Sequence, residues 1–257
     1  MADESSLILN TLENKIQKVI INRPTKKNAL STPMYKKLTT LLNDSAKNNE
    51  VLLFVLTATG DFFSSGTDIN IGGMELSSTD MQYKNLIFKE FVDALIMYPK
   101  LLVAIVNGPA IGIACTMLGL FDMVYASNKA YFRTPFSSLG LIAEGCSTYT
   151  FPRLLGPSKA GDMLYMGYQM NAPEAKQYGL ISAVYDHDVL EEVWNYLKKI
   201  STLSSESILA TKRLITKWNK EVLLRVNEEE VKELKKRWES PDLFERFLNF
   251  YSQKSRL

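Results

Sequence analysis

One carboxylate stands alone in the stretch LGLIAEGCSTYTFP, residues 139–152: Glu144 is the sole acidic residue between Asp122 and Asp162. Its neighbours Leu139, Leu141, Ile142 and Phe151 would keep water away, and desolvation raises a carboxyl pKa. A glutamate raised in this way suits proton transfer at carbon near neutral pH. The same residue, just ahead of a helix beginning near Ser147, could instead only favour the helix dipole, worth under about 1 kcal/mol.

Two further loops offer backbone rather than side chains. Ser64-Ser65-Gly66-Thr67-Asp68 follows an apolar strand, and its small residues let a ligand approach the main chain while the glycine permits dihedrals that expose an N–H. An ordinary strand-to-helix turn capped by Asp68 would look the same. Asn107-Gly108-Pro109-Ala110-Ile111-Gly112-Ile113-Ala114 puts small residues at the start of a buried helix, whose first N–H groups lack intrahelical partners. Such an end can hold an anion or a polarised carbonyl oxygen, although close helix packing uses small residues equally well. Two backbone N–H groups beside one glutamate suit enolate chemistry on a thioester, where charge develops on the carbonyl oxygen.

Other chemistries have less to stand on. Neither GxxxxGK[ST] nor GxGxxG occurs. The single histidine, His187, sits in the polar stretch VYDHDVL and reads as a surface residue, which leaves little for a Ser-His-Asp triad. Cys115 and Cys146 form neither a metal-like spacing nor a disulfide framework, as suits a reducing compartment. A net charge of +2 argues against nucleic acid as a partner, and Lys232, Lys235, Lys236 and Arg237 read as a solvated helix face.

The elements that would position these loops follow from pattern. Residues 7–22 read as two strands about a Glu13-Asn14 turn, followed by a helix from Thr32 with Pro33 in its first turn. VLLFVLTA (51–58) and LLVAIV (101–106) are uncharged runs of strand length, expected to be covered on both faces. Between them a helix is expected from about Thr79 to before Pro99. The uncharged stretch from Leu101 to Phe121 is long enough for a bilayer, but Asn107-Gly108-Pro109 breaks it into strand, turn and a helix from Gly112 to about Leu120. No membrane span is expected. Strands at 123–127, 130–134 and 181–185 and helices at 147–155 and 158–167 follow. From Asp188 the pattern is helical almost to the end, with a break at Ser240-Pro241. Strands alternating with helices and then a helical last third imply an α/β core with a helical appendage.

Several stretches resemble the crotonase, or enoyl-CoA hydratase/isomerase, superfamily. These are INRPTKKNAL (21–30), SSGTDI (64–69), VNGPAIGIACTMLGLFDMVYAS (106–127), FRTPFSSLGLIAEGCSTYTFPRLLG (132–156) and NAPEAKQYGLISAVY (171–185). The resemblance covers essentially the whole chain. It implies an α/β fold of repeated ββα units over residues 1–200, a helical C-terminal trimerisation region over 201–257, and assembly as a homotrimer or dimer of trimers. It also implies an acyl-CoA thioester as ligand, its oxygen held by the N–H groups of Thr67 and Ile113. Lys26, Asn28, Ser64, Ser65, Gly66, Thr67, Asp68, Ile69 and Gly112 are expected to contact substrate. No cofactor is implied beyond the coenzyme A of the substrate, and no metal.

The acids narrow the resemblance. Hydratases of the superfamily carry glutamates at the positions of Thr116 and Phe136, and this chain has neither. Dienoyl-CoA isomerases pair an acid at the Glu144 position with another at the Phe136 position. Glu144 alone resembles the base of peroxisomal Δ3,Δ2-enoyl-CoA isomerases, which shift a double bond from C3 to C2 during fatty-acid β-oxidation. A non-catalytic acyl-CoA-binding module, a hydratase and a thioester hydrolase are the competing readings. MADESSLILN has the form of neither a signal peptide nor an arginine-rich transit peptide. The closing Ser255-Arg256-Leu257 is a variant of the peroxisomal address, expected to meet the import receptor. A mitochondrial location is the expectation if a further segment precedes the sequence.

Overall fold

The computed structural model describes residues 6–69 and 78–254, so the Ser255-Arg256-Leu257 address lies outside the described residues. The chain begins with β1 (Ile8–Glu13), β2 (Ile16–Ile21), α1 (Thr32–Lys47), β3 (Leu53–Ala58), α2 (Ser78–Met97) and β4 (Leu101–Val106). It continues through β5 (Ala110–Ile111), α3 (Ile113–Thr116), β6 (Met123–Ser127), β7 (Tyr131–Arg133), α4 (Ser147–Leu155) and α5 (Pro157–Met166). Then come β8 (Met170–Asn171), α6 (Ala172–Gln177), β9 (Ala183–Tyr185), α7 (Leu190–Lys198), α8 (Ser205–Lys217), α9 (Lys220–Trp238) and α10 (Pro241–Lys254).

The main sheet runs β1-β2-β3-β4-β6-β9 and is parallel except for the β1–β2 hairpin. Asn14 and Lys15 turn that hairpin at φ 53° and 64°, the paired positive angles that match the right-handed twist of the strands. In β3 successive side chains face opposite ways: Phe54 and Leu56 enter the large core with α1 and α2, while Leu53 and Val55 meet Val193 and Leu197 of α7. Both faces are covered, which is why its sequence shows no polar alternation. In α1, Met34, Tyr35, Leu38 and Leu42 form the buried stripe.

A smaller sheet, β5-β7-β8, carries the second loop into position. Its strands β5 and β8, and the six-residue α6, were not foreseen. The expected helix from Gly112 to Leu120 is instead the one-turn α3 followed by a 3₁₀ turn at Met117–Leu120. His187 is half-buried rather than on the surface, its Nδ1 3.1 Å from Ser127 Oγ. The helical last third folds back on the core: α9 packs against α2 and α4, and Lys212 of α8 reaches Asp122 at 2.6 Å. Among the described residues no helix is long and apolar enough to cross a membrane.

Candidate active site

The first loop is held from below by a tight turn. Lys27 and Asn28 adopt left-handed angles, and Asn28 accepts from Arg23 N at 2.8 Å while donating to Thr59 O at 2.8 Å and Phe62 O at 2.6 Å. Expected to touch substrate, Asn28 is fully buried with its amide occupied inside the protein, so it shapes the turn instead. The turn delivers Leu30 alongside the loop, where Leu30 N donates to Gly66 O and Asp68 N donates to Leu30 O. Those bonds flank Thr67 and leave its own N–H without an acceptor among the described residues. The Thr67 hydroxyl meets Tyr35 at 2.7 Å, and Arg23 pairs with Asp68 at 2.6 Å.

The second loop leans on the first. Ser64 N donates to Pro109 O and Ile111 N to Ser64 O, while Gly112 N donates across to Arg133 O. Ile113 begins α3, so its N–H has no intrahelical partner, and none is found elsewhere among the described residues. Gly66 sits at φ +90° where a Cβ would lie 2.8 Å from Ile111 O. Only a glycine lets the two loops come this close, and Thr67 and Ile113, which carry the two unpartnered amides, line one cavity.

Glu144 faces them across a shared cavity of about 290 Å³. It is 9% exposed, and among the described residues its carboxylate has neither a hydrogen-bond nor an ion-pair partner. Gly145 and Cys146 turn the chain through left-handed angles of 67° and 63°, and α4 starts immediately after them. A Cβ on Gly145 would meet Ile113 Cδ1 at 2.7 Å and Thr116 Oγ1 at 2.8 Å, so the acid's turn rests on the first turn of α3. Burial, and after it the charge of Glu230, together push the Glu144 carboxyl up to about 8.

Ser65, Gly66, Thr67, Asp68, Ile69, Gly112 and Ile113 line the cavity. Ser64 does not: it is fully buried, and its hydroxyl accepts from Gly66 N at 3.1 Å. Lys26 is exposed and away from the cavity wall. Thr116 and Phe136 are both buried, and Phe136 closes the cavity with Phe88, Leu139, Leu141, Leu234 and Trp238. Lys84 and Asn85 of α2 also face it and were not foreseen; their spacing from Met81 and Phe88 is the helical signal that would have placed them together. Nor was Glu230, whose carboxylate holds the start of α4.

A buried carboxylate and two acceptor-free amides whose residues line one cavity have the chemical character that proton removal from carbon and oxyanion stabilisation require. The family described as enoyl-CoA hydratase/isomerase matches residues 11–248. The rat protein named enoyl-CoA delta isomerase 2 (Rattus norvegicus) is 43% identical over 262 residues, covering 100% of this chain and 66% of its own length. The chain thus spans just under two thirds of that relative. The mouse protein named enoyl-CoA delta isomerase 3, peroxisomal (Mus musculus) is 43% identical over 99% of this chain and 81% of its own. A crystal structure of an enoyl-CoA hydratase/isomerase from Pseudoalteromonas atlantica superposes with a TM-score of 0.87 at 32% identity, over 96% of this chain and 97% of that one.

Proposed function

The chain belongs to the enoyl-CoA hydratase/isomerase family, and we propose that within it the protein is a Δ3,Δ2-enoyl-CoA isomerase with Glu144 as its only base. The single observation that carries this reading is the unpartnered, buried Glu144 carboxylate, on a cavity also lined by Thr67 and Ile113 and with no acid at positions 116 and 136. The relatives named enoyl-CoA delta isomerase support it.

In this reading ionised Glu144 takes a proton from C2 of a 3-enoyl-CoA. The electron pair moves onto the thioester oxygen as a dienolate, where Thr67 N–H and Ile113 N–H donate to it. Glu144, now protonated, returns the proton at C4, and the double bond ends between C2 and C3. Nothing is oxidised, reduced or hydrated, and the coenzyme A enters and leaves as part of the substrate. The base must be ionised to act, so kcat/KM rises with pH through the Glu144 value near 8. A trimer or dimer of trimers belongs to the same proposal, as does a peroxisomal location through Ser255-Arg256-Leu257, which the name of the mouse relative supports.

The test is to incubate the protein with a 3-enoyl-CoA and separate the products, with Glu144→Gln alongside. Conversion to the 2-enoyl isomer is expected, reduced about 100- to 10,000-fold in the still-folded variant. Binding without turnover, or a hydrated or free-acid product, would overturn the reading.

A further inference from the structure

Glu230 lies on α9, 86 positions beyond Glu144, and its buried carboxylate points at the turn that holds Glu144. Oε2 accepts from Cys146 N at 2.7 Å, and Oε1 accepts from Thr148 N at 3.1 Å and from the Thr148 hydroxyl. Thr148 N is among the first donors of α4, which have no intrahelical acceptor, and Cys146 N, just before the helix, belongs to a fully buried residue. A neutral side chain would satisfy them too. A carboxyl group in that position also puts a second acid behind Glu144, and its charge raises the Glu144 carboxyl.

We propose that Glu230 is a positioning residue for Glu144: its carboxylate pins the 146–148 turn that follows the acid and sets a second acidic group behind it. This rests on Glu144 being the base. Burial raises both carboxyls, but three hydrogen bonds pull Glu230 back and none does so for Glu144. The other charges facing this region are largely spoken for. Asp93 and Lys89 of α2 pair with each other, as do Asp68 and Arg23, and Arg237 of α9 pairs with Asp242. Tyr35 of α1 and the thiols of Cys115 and Cys146 are pushed up by burial and stay protonated. Lys84, on the cavity wall, makes no ion pair among the described residues.

Three variants separate charge from geometry. Glu230→Gln removes the charge, Glu230→Asp keeps it on a shorter arm, and Thr148→Val deletes one hydrogen bond and keeps it in place. The readouts are the pH profile of kcat/KM with a 3-enoyl-CoA and the ionisation of Glu144 followed by infrared difference against Glu144→Gln, which needs no turnover. Glu230→Gln is expected to move both midpoints to lower pH and to lower kcat about ten- to a hundred-fold with KM little changed. Thr148→Val is expected to lower kcat and leave the midpoints alone. Unmoved midpoints in Glu230→Gln, or an equal shift in Thr148→Val, would overturn the proposal. If Glu230→Gln does not fold, Glu230→Asp decides: a lowered kcat with unshifted midpoints supports the proposal and an unchanged kcat overturns it. A wild-type protein that does not isomerise removes the base reading, whereas the infrared shift stands or falls independently.

Discussion

At the loop end of the cavity, Thr67 and Ile113 offer main-chain N–H groups, set by hydrogen bonds that link Leu30, Gly66, Ser64, Ile111 and Arg133. At the acid end, a single side chain, Glu144, stands in an apolar wall without a hydrogen bond among the described residues. At the loop end the N–H groups of Thr67 and Ile113 have no acceptor among the described residues, and the buried Asn107 Oδ1 has no donor there. The acid end depends wholly on side-chain identity and keeps a carboxylate where water would be a better solvent. The loop end keeps its two main-chain donors through side-chain changes at Thr67 and Ile113, though not at Gly66; the acid end depends on one side chain and costs stability.

Changing Glu144→Gln sets the upper limit of effect, as given above. The loop end should respond almost as strongly, but only to the loss of a backbone hydrogen. Ile113→Pro removes the N–H at a first helical position, where proline is tolerated, and should lower kcat/KM about 100- to 1,000-fold. Ile113→Val keeps the donor and should stay within about tenfold, at a stability cost of about 1 kcal/mol for the lost methylene. Equal losses in both variants would mean that the side chain, not the amide, is what the loop contributes.

The stability side of the contrast is open to thermal unfolding at a series of pH values. Glu144 is raised from 4.5 in the unfolded chain to about 8 in the folded one, so between those values the folded state binds the extra proton. Stability is therefore fully present below about 4.5 and falls as pH rises to about 8. Glu144→Gln has no such loss. It should be more stable than the wild type at pH 8, by on the order of a few kcal/mol, with the gap closing towards pH 4.5. A constant gap would show that the carboxylate is not strained by burial. The smallest effect is expected for Tyr35→Phe, which deletes the hydrogen bond to Thr67 Oγ1 and should cost about 1 kcal/mol of stability with little change in rate, measured by denaturant titration and initial rates.

Most of this arrangement was legible in the chain. Long apolar runs such as 51–58 and 101–106 declare a sheet covered on both faces, and Glu144 declares itself by isolation among leucines. The two-residue strands β5 and β8 are too short to show a period, and only their partner β7 makes them strands. Asn28 reads as a substrate contact beside two lysines because nothing local reveals that Thr59 and Phe62 come to meet it. Glu230 hides in Asn227-Glu228-Glu229-Glu230, where three acids in a row suggest a solvated face. Its spacing with Asn227 and Leu234 is nonetheless that of one helix face, and all three are buried. That periodicity was the available signal.

The position of α9 has a consequence for the order in which the protein can come into being. Leu234 and Trp238 close the cavity and Glu230 braces the turn of the base, so the site draws on residues near the far end of the sequence. A chain emerging from the ribosome makes the sheet, both loops and Glu144 well before α9 exists. Until α9 has been synthesised and docked, the amides of Cys146 and Thr148 lack their partner and the cavity stands open beside Glu144. Chains that stop short of α9 are thus expected to be inactive even when their sheet has formed, which ties the onset of activity to the synthesis of α9.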